Sequence, residues 1–229
     1  MVMPDRIAAL RRRFAEDVLG NRVRPSWNWN KDCGAYNVHI EPDASARDQL
    51  TAAQACLVAA EPTLLLCPAD TLHLSVAWLL AVHIDYGESK QAIWARHGVQ
   101  WCAQLARIAA EHGRSGLRFQ WLVVTDTSVI AIATPSEPVQ QLRQAIRASL
   151  VLPPQTTNNA DIVHITVARY RSPLGDPAGL LAQAHATQLD APSAANALVV
   201  CEELVFPSLV TSGRARLKLS GTTSCQTTT

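Results

Sequence analysis

Apolar positions recur along this chain with two periods, 3.6 and 2, and the two alternate from one end to the other. Ile7, Leu10, Phe14 and Val18 fall at helical spacing within 4–19, and Gly20 closes that run. A second helix is expected over 45–60, with Ser45 as its N-cap and Pro62 beyond its end. A third, over about 89–111, places Ile93, Trp94, Val99, Trp101, Leu105 and Ile108 inside. Helices over 137–150 and 176–188 follow, the last with Pro177 in its first turn. Period-2, β-branched runs predict strands over 35–41, 63–67, 117–124, 128–134, 197–206 and 214–219. Two more surround His73 and His164, and the pair 117–124 and 128–134 folds as a hairpin around Asp126. In the strand over 35–41, Tyr36, Val38 and Ile40 share one face, and Asn37, His39 and Glu41 share the other.

One strand pattern is written twice. Residues 73–77 read HLSVA and residues 164–168 read HITVA, in a chain of 229 residues. Side chains two apart share a strand face, so His73 projects with Ser75, and His164 with Thr166. Ala77 and Ala168 are small and leave room beside them. Leu72, Leu74, Val76 and Trp78, with Val163, Ile165 and Val167, suit a core on the opposite faces. Two such strands set against each other would bring two imidazoles and two hydroxyls to one site. A lone His-x-Ser strand has no meaning of this kind; the repetition in matching apolar contexts carries the inference.

Strands alternating with helices, with a hairpin among them, predict an α+β protein of two pseudo-symmetric lobes, each a mostly antiparallel sheet with outer helices. Residues 1–30 form a separate N-terminal helix and irregular segment. Residues 31–220 form the bilobal body, and 221–229 are expected to be a disordered tail. Hydrophobic residues make up 48% and charged residues 17%, which is a globular composition. The formal net charge of +1 disfavours long DNA or RNA held through many phosphates but allows a short RNA end. The six cysteines show no CxxC spacing and suit a reducing compartment, so a cytoplasmic location is expected. No run is apolar and long enough for a membrane span. Arg6, Arg11, Arg12 and Arg13 form a basic face on the first helix, without the composition of a transit peptide. Oligomeric state leaves no mark on the sequence.

The paired motifs His73-Leu74-Ser75-Val76 and His164-Ile165-Thr166-Val167 resemble those of the two-histidine phosphoesterases, a superfamily that includes bacterial RNA 2′,5′-ligase and cyclic phosphodiesterase enzymes. The resemblance runs from about Tyr36 to Leu219 in the order of elements and includes HITVAR at 164–169. It implies a cleft between the lobes, acid–base roles for His73 and His164, and phosphate-orienting roles for Ser75 and Thr166. It also implies a metal-independent phosphodiesterase acting on 2′,3′-cyclic phosphates or related nucleotide and RNA-end diesters, with no cofactor. Alternatives within its reach are an RNA 2′,5′-ligase, a 3′-end exonuclease, and a non-catalytic nucleotide- or RNA-binding module. The chemistry fits the residues: histidine is the one side chain whose ordinary pKa allows one copy to act as base and another as acid near neutrality.

Further contacts are expected from the neighbourhood. Tyr170 shares the face of His164 and Thr166 if the strand stays regular, and Arg169 then falls on the other face unless a bulge reorients it. Trp27, in the segment RPSWNWNKDCG, would stack a base if exposed or cover the core if not, and the core is the commoner place for an aromatic. Tyr36 and His39 are candidate cleft contacts on the first strand. Arg214, Arg216 and Lys218 alternate along the last strand and would add positive potential.

Overall fold

A computed structural model describes residues 3–157, 161–207 and 215–220. Its helices are α1 (Met3–Leu19), α2 (Ala44–Ala60), α3 (Lys90–Glu111), α4 (Glu137–Ser149) and α5 (Pro177–Ala186). Strands β1 (Asp32–Ile40), β2 (Leu64–Leu66), β3 (Leu74–Leu80), β4 (Ser115–Val124) and β5 (Ser128–Thr134) precede β6 (His164–Tyr170), β7 (Ala191–Ala195), β8 (Ala197–Val205) and β9 (Ala215–Lys218). The protein is α+β, and these strands form one curled antiparallel half-barrel. The expected tail over 221–229 and Arg214 lie outside the described residues.

The strand order β7-β4-β5-β6-β3-β1-β8-β9 divides at its middle. Four strands stand on each side, and the halves join through one ladder pair, Leu74 with Ile165. The two expected lobes are therefore two halves of a single sheet, and the two motif strands are the seam between them. Short β2 braces the seam by pairing with β6 at Leu64–Tyr170, Leu65–Arg169 and Leu66–Ala168.

Local chemistry starts most helices where the sequence marks them. Ser89 caps α3 by accepting from the Ala92 amide, and Asp176 caps α5 by accepting from Gly179. At α2 the cap is Asp43, which accepts from Ala46, and not the expected Ser45, which lies inside the helix. Both residue types cap well, and the chain turns out of β1 through Pro42, which favours the earlier start. β7 is a strand the periodicity does not suggest: its sequence APSAA lacks β-branched residues and holds a proline. It is tolerated because β7 ends the strand order, where a missing amide costs no ladder bond.

One large core lies between one face of the sheet and α2–α5, with Leu50, Leu57, Trp101, Leu105, Ile146 and Leu180 among its buried residues. A smaller core lies on the opposite face of the first half. There Ile7 of α1 packs on Val123, Ile130 and Ile132, flanked by Leu10, Phe14 and Trp121. Among the described residues no helix is long and apolar enough to cross a membrane.

Candidate active site

The seam sets the geometry. Leu74 and Ile165 are direct partners across it, so the same antiparallel register places position 73 against 166 and position 75 against 164. Each histidine thus lies across from the hydroxyl of the other motif. His73, Ser75, His164 and Thr166 all line one cavity on the concave face.

Both imidazoles are held in the same way. His73 Nδ1 lies 2.8 Å from the Thr71 carbonyl, and His164 Nδ1 lies 3.2 Å from the Ile162 carbonyl. A carbonyl only accepts, so Nδ1 carries the hydrogen in each ring and Nε2 is left with its lone pair. Among the described residues neither Nε2 nor the hydroxyls of Ser75 and Thr166 have a hydrogen-bond partner. Two bases and two donors are therefore open to a ligand.

The two motif strands share an irregularity. In the ladder of β1 with β3, His39 pairs with Ser75 and Val38 with Ala77, so Val76 is skipped. In the ladder of β5 with β6, Ile130 pairs with Thr166 and Val129 with Ala168, so Val167 is skipped. These are β-bulges at equivalent motif positions, and a bulge reverses the facing of the residues after it until the next shift, which in β3 skips Leu79. Trp78 and Arg169, which also occupy equivalent positions, are thereby turned onto the cleft and line the cavity. Regular alternation puts Trp78 in the core, and puts Arg169 on the cleft only if a bulge intervenes.

The same bulge takes Tyr170 away from the site. Its side chain is fully buried, and its hydroxyl donates to the Thr125 carbonyl at 2.6 Å. Tyr36 is also in the core, stacked on Trp94 at 4.4 Å, with its hydroxyl donating to Glu202 at 2.7 Å. Trp27 is 64% exposed and does not line the cavity; the Lys31 ammonium sits 6.0 Å from its ring. Its neighbour Trp29 packs edge-on against Phe206, which does line the cavity. His39 is buried behind the site, its ring 4.9 Å from that of His73. Its Nδ1 donates to Asn37 at 2.9 Å, and its Nε2 is 3.8 Å from a Glu41 oxygen. Arg216 pairs with Glu41 at the far end of β1 and does not reach the cavity, and Lys218 is likewise outside it.

Three buried residues that sequence reasoning does not single out hold or furnish the site. Arg143 of α4 donates to the Ser75 carbonyl at 2.7 Å and to the Ile162 carbonyl at 3.2 Å. One guanidinium therefore ties both motif strands, and it shares the carbonyl that fixes His164. Gln54 of α2 donates to the Cys67 and Val167 carbonyls, each at 2.7 Å, and so secures the bulge in β6. Glu203 of β8 adds a carboxylate to the cavity wall.

Burial dominates the electrostatics. It pushes His73 down to about 3, reinforced by the nearby charge that His39 would carry. It lowers His164 as well, against the opposing hydrogen bond to Ile162. Arg143 falls to about 10 for the same reason and stays charged at neutral pH. Glu203 moves the other way, up to about 7, with Arg169 opposing. Near neutral pH, burial therefore favours the uncharged form of both imidazoles.

No family model and no curated protein matches the sequence. Solved structures do match the fold. TT0787 of Thermus thermophilus has a TM-score of 0.61 at 15% identity, covering 82% of this chain and 98% of that one. E. coli LigT in its apo form has a TM-score of 0.52 at 15% identity, covering 82% and 99%. The fold is that of the two-histidine phosphoesterases. A further solved structure, of a phosphoesterase, has a TM-score of 0.58 at 12% identity, covering 82% and 99%. At these identities the likeness is one of architecture.

Proposed function

We propose that the protein is a phosphodiesterase of the two-histidine kind, acting without a metal on 2′,3′-cyclic phosphates or related nucleotide and RNA-end diesters. The observation that carries this is the pairing of two Nε2 lone pairs with two unpartnered hydroxyls in one cavity, related by the symmetry of the seam. Support for a nucleotide comes from LigT, which has been crystallised with phosphate and with 3′-AMP, at TM-scores of 0.51 and 0.50 to this chain.

The chemistry needs one proton to be supplied and one to be removed. With both imidazoles neutral in the empty cleft, the acid is created on binding. The diester's negative charge, desolvated beside His73 and His164, raises the affinity of one ring for a proton. The neutral ring takes a proton from water as its oxygen attacks phosphorus. The P–O bond to the ribose oxygen breaks, and the charged ring gives its proton to that oxygen. Ser75 and Thr166 donate to the non-bridging oxygens throughout.

The decisive measurement is turnover of a nucleoside 2′,3′-cyclic phosphate with excess chelator. His73→Ala or His164→Ala is expected to lower kcat by about 10²–10⁴-fold, the ordinary contribution of a positioned acid or base. Activity that survives both substitutions would sink the reading. The symmetry of the two rings also favours a second direction, since each can serve as acid or base. Joined RNA in the same assay with 2′,3′-cyclic ends would identify a ligase, and tight nucleotide binding without turnover a binding module.

A further inference from the structure

The cavity contains a carboxylate that phosphodiester chemistry leaves unused, that of Glu203. The residue is 2% exposed and lines the same wall as the histidines. Its backbone carbonyl accepts from the Cys33 thiol, but among the described residues no hydrogen bond reaches its carboxylate. Arg169 lines the same cavity and its charge acts on the carboxylate, with no ion pair joining the two among the described residues. The Glu203 carboxylate is thus presented to the cavity with its acceptors unused, and a ligand that supplies donors there would satisfy them.

The surroundings say what kind of ligand. Trp78 on β3 and Phe206, just past the end of β8, give the cavity two aromatic side chains, suited to a flat ring. The Arg169 guanidinium lies 5.0 Å above the Phe206 ring, so a cation is already held at the edge of that plane. A carboxylate offers two acceptors side by side and, when ionised, no donor. Guanine is the common base with two adjacent donors, N1–H and N2–H, on its pairing edge. Its O6 lies beside them and suits a guanidinium. Uracil would set carbonyl oxygens against the carboxylate. Adenine and cytosine would each offer a single amino donor beside a repelled ring nitrogen.

We propose that Glu203 reads the nucleobase of the substrate and selects guanine, an assignment that rests on the nucleotide-diester reading above. The carboxylate accepts from N1 and N2 of the base, and Arg169 donates to O6. Burial holds Glu203 at about 7, so its acceptor form prevails above that pH.

The test is calorimetry at pH 8 with the 3′-monophosphates of guanosine, adenosine, cytidine and uridine. Wild-type protein is expected to bind the guanosine compound at least tenfold more tightly than the other three. Glu203→Gln keeps the shape but replaces one acceptor with a donor. It is expected to erase that preference while changing the other three affinities by less than threefold. Because the substitution removes a buried charge, the variant folds at least as well, which a thermal melt verifies. Equal affinity for all four in wild type, or a guanosine preference that survives Glu203→Gln, would overturn the Glu203 assignment alone. No binding of any nucleotide by either protein would bring down the nucleotide-diester reading and this assignment together.

Discussion

A histidine that must give up a proton needs to hold one first, and His73 and His164 sit where burial opposes it. Their folded pKa values lie below the ordinary 6.5, so the free protein loses its singly protonated form as pH rises through a window below that value. The rate at low substrate, kcat/KM, reports the free protein and is expected to decline on its alkaline side below pH 6.5. Once a diester is bound, its negative charge restores the proton, so kcat is expected to hold to higher pH. Rate profiles from pH 4 to 9 measure both limbs. Coincident limbs, or the reverse order, would contradict the substrate-created acid. These two residues, with Ser75 and Thr166, are what the sequence announces most plainly, because a repeated polar pair inside apolar strands has few structural explanations. Glu203 is not legible in the same way. CEELVF reads as the end of a strand, and nothing in it says that one carboxylate is enclosed beside Arg169 from a distant strand.

At the level of elements, regular alternation predicts facing only as far as the first bulge. It serves for His73 and Ser75 and for His164 and Thr166, then fails at Trp78, Arg169 and Tyr170. No glycine or proline in HLSVA or HITVA marks Val76 or Val167 as a skipped position. The clamp is hidden for a different reason: Arg143 meets Ser75 across 68 residues of chain, from what reads as an ordinary helix. It makes its own prediction. Arg143 does not line the cavity, so it positions the motif strands and is not itself a catalytic residue. Arg143→Ala removes the guanidinium donor to the Ser75 carbonyl and leaves the Ile162 carbonyl with His164 Nδ1 alone, and is expected to cost about 2 kcal/mol or more in urea unfolding. It should also lower kcat at least tenfold while KM changes much less, because the seam aligns the two rings. Arg143→Lys, which can still reach a carbonyl, should recover part of both. A fall in stability with kcat unchanged would make the residue merely structural.

Across the whole molecule, two half-sheets share one ladder pair, so the cleft's shape depends on what packs against each half. The first half is covered on both faces, since α1 lies on the side that carries His164 and Thr166. Ile130 and Ile132, which α1 buries, are the ladder partners of those two residues on β5. Arg6 and Arg11 extend the contact by donating to the Asp161 and Leu122 carbonyls. The helix therefore stabilises the sheet next to the site without entering the cavity. Its arginine-rich sequence by itself suggests only a solvated face, with phosphate contacts as the less favoured alternative. Ile7, 3% exposed, is the centre of this small core. Ile7→Ala removes buried methylenes and is expected to cost about 2–5 kcal/mol, read as a drop in the urea midpoint. Turnover per folded molecule should stay within about threefold of wild type, because no group that touches substrate moves. A variant that keeps its stability would show that α1 does not pack on β5. One that keeps its fold but loses turnover would show that the helix shapes the cleft directly.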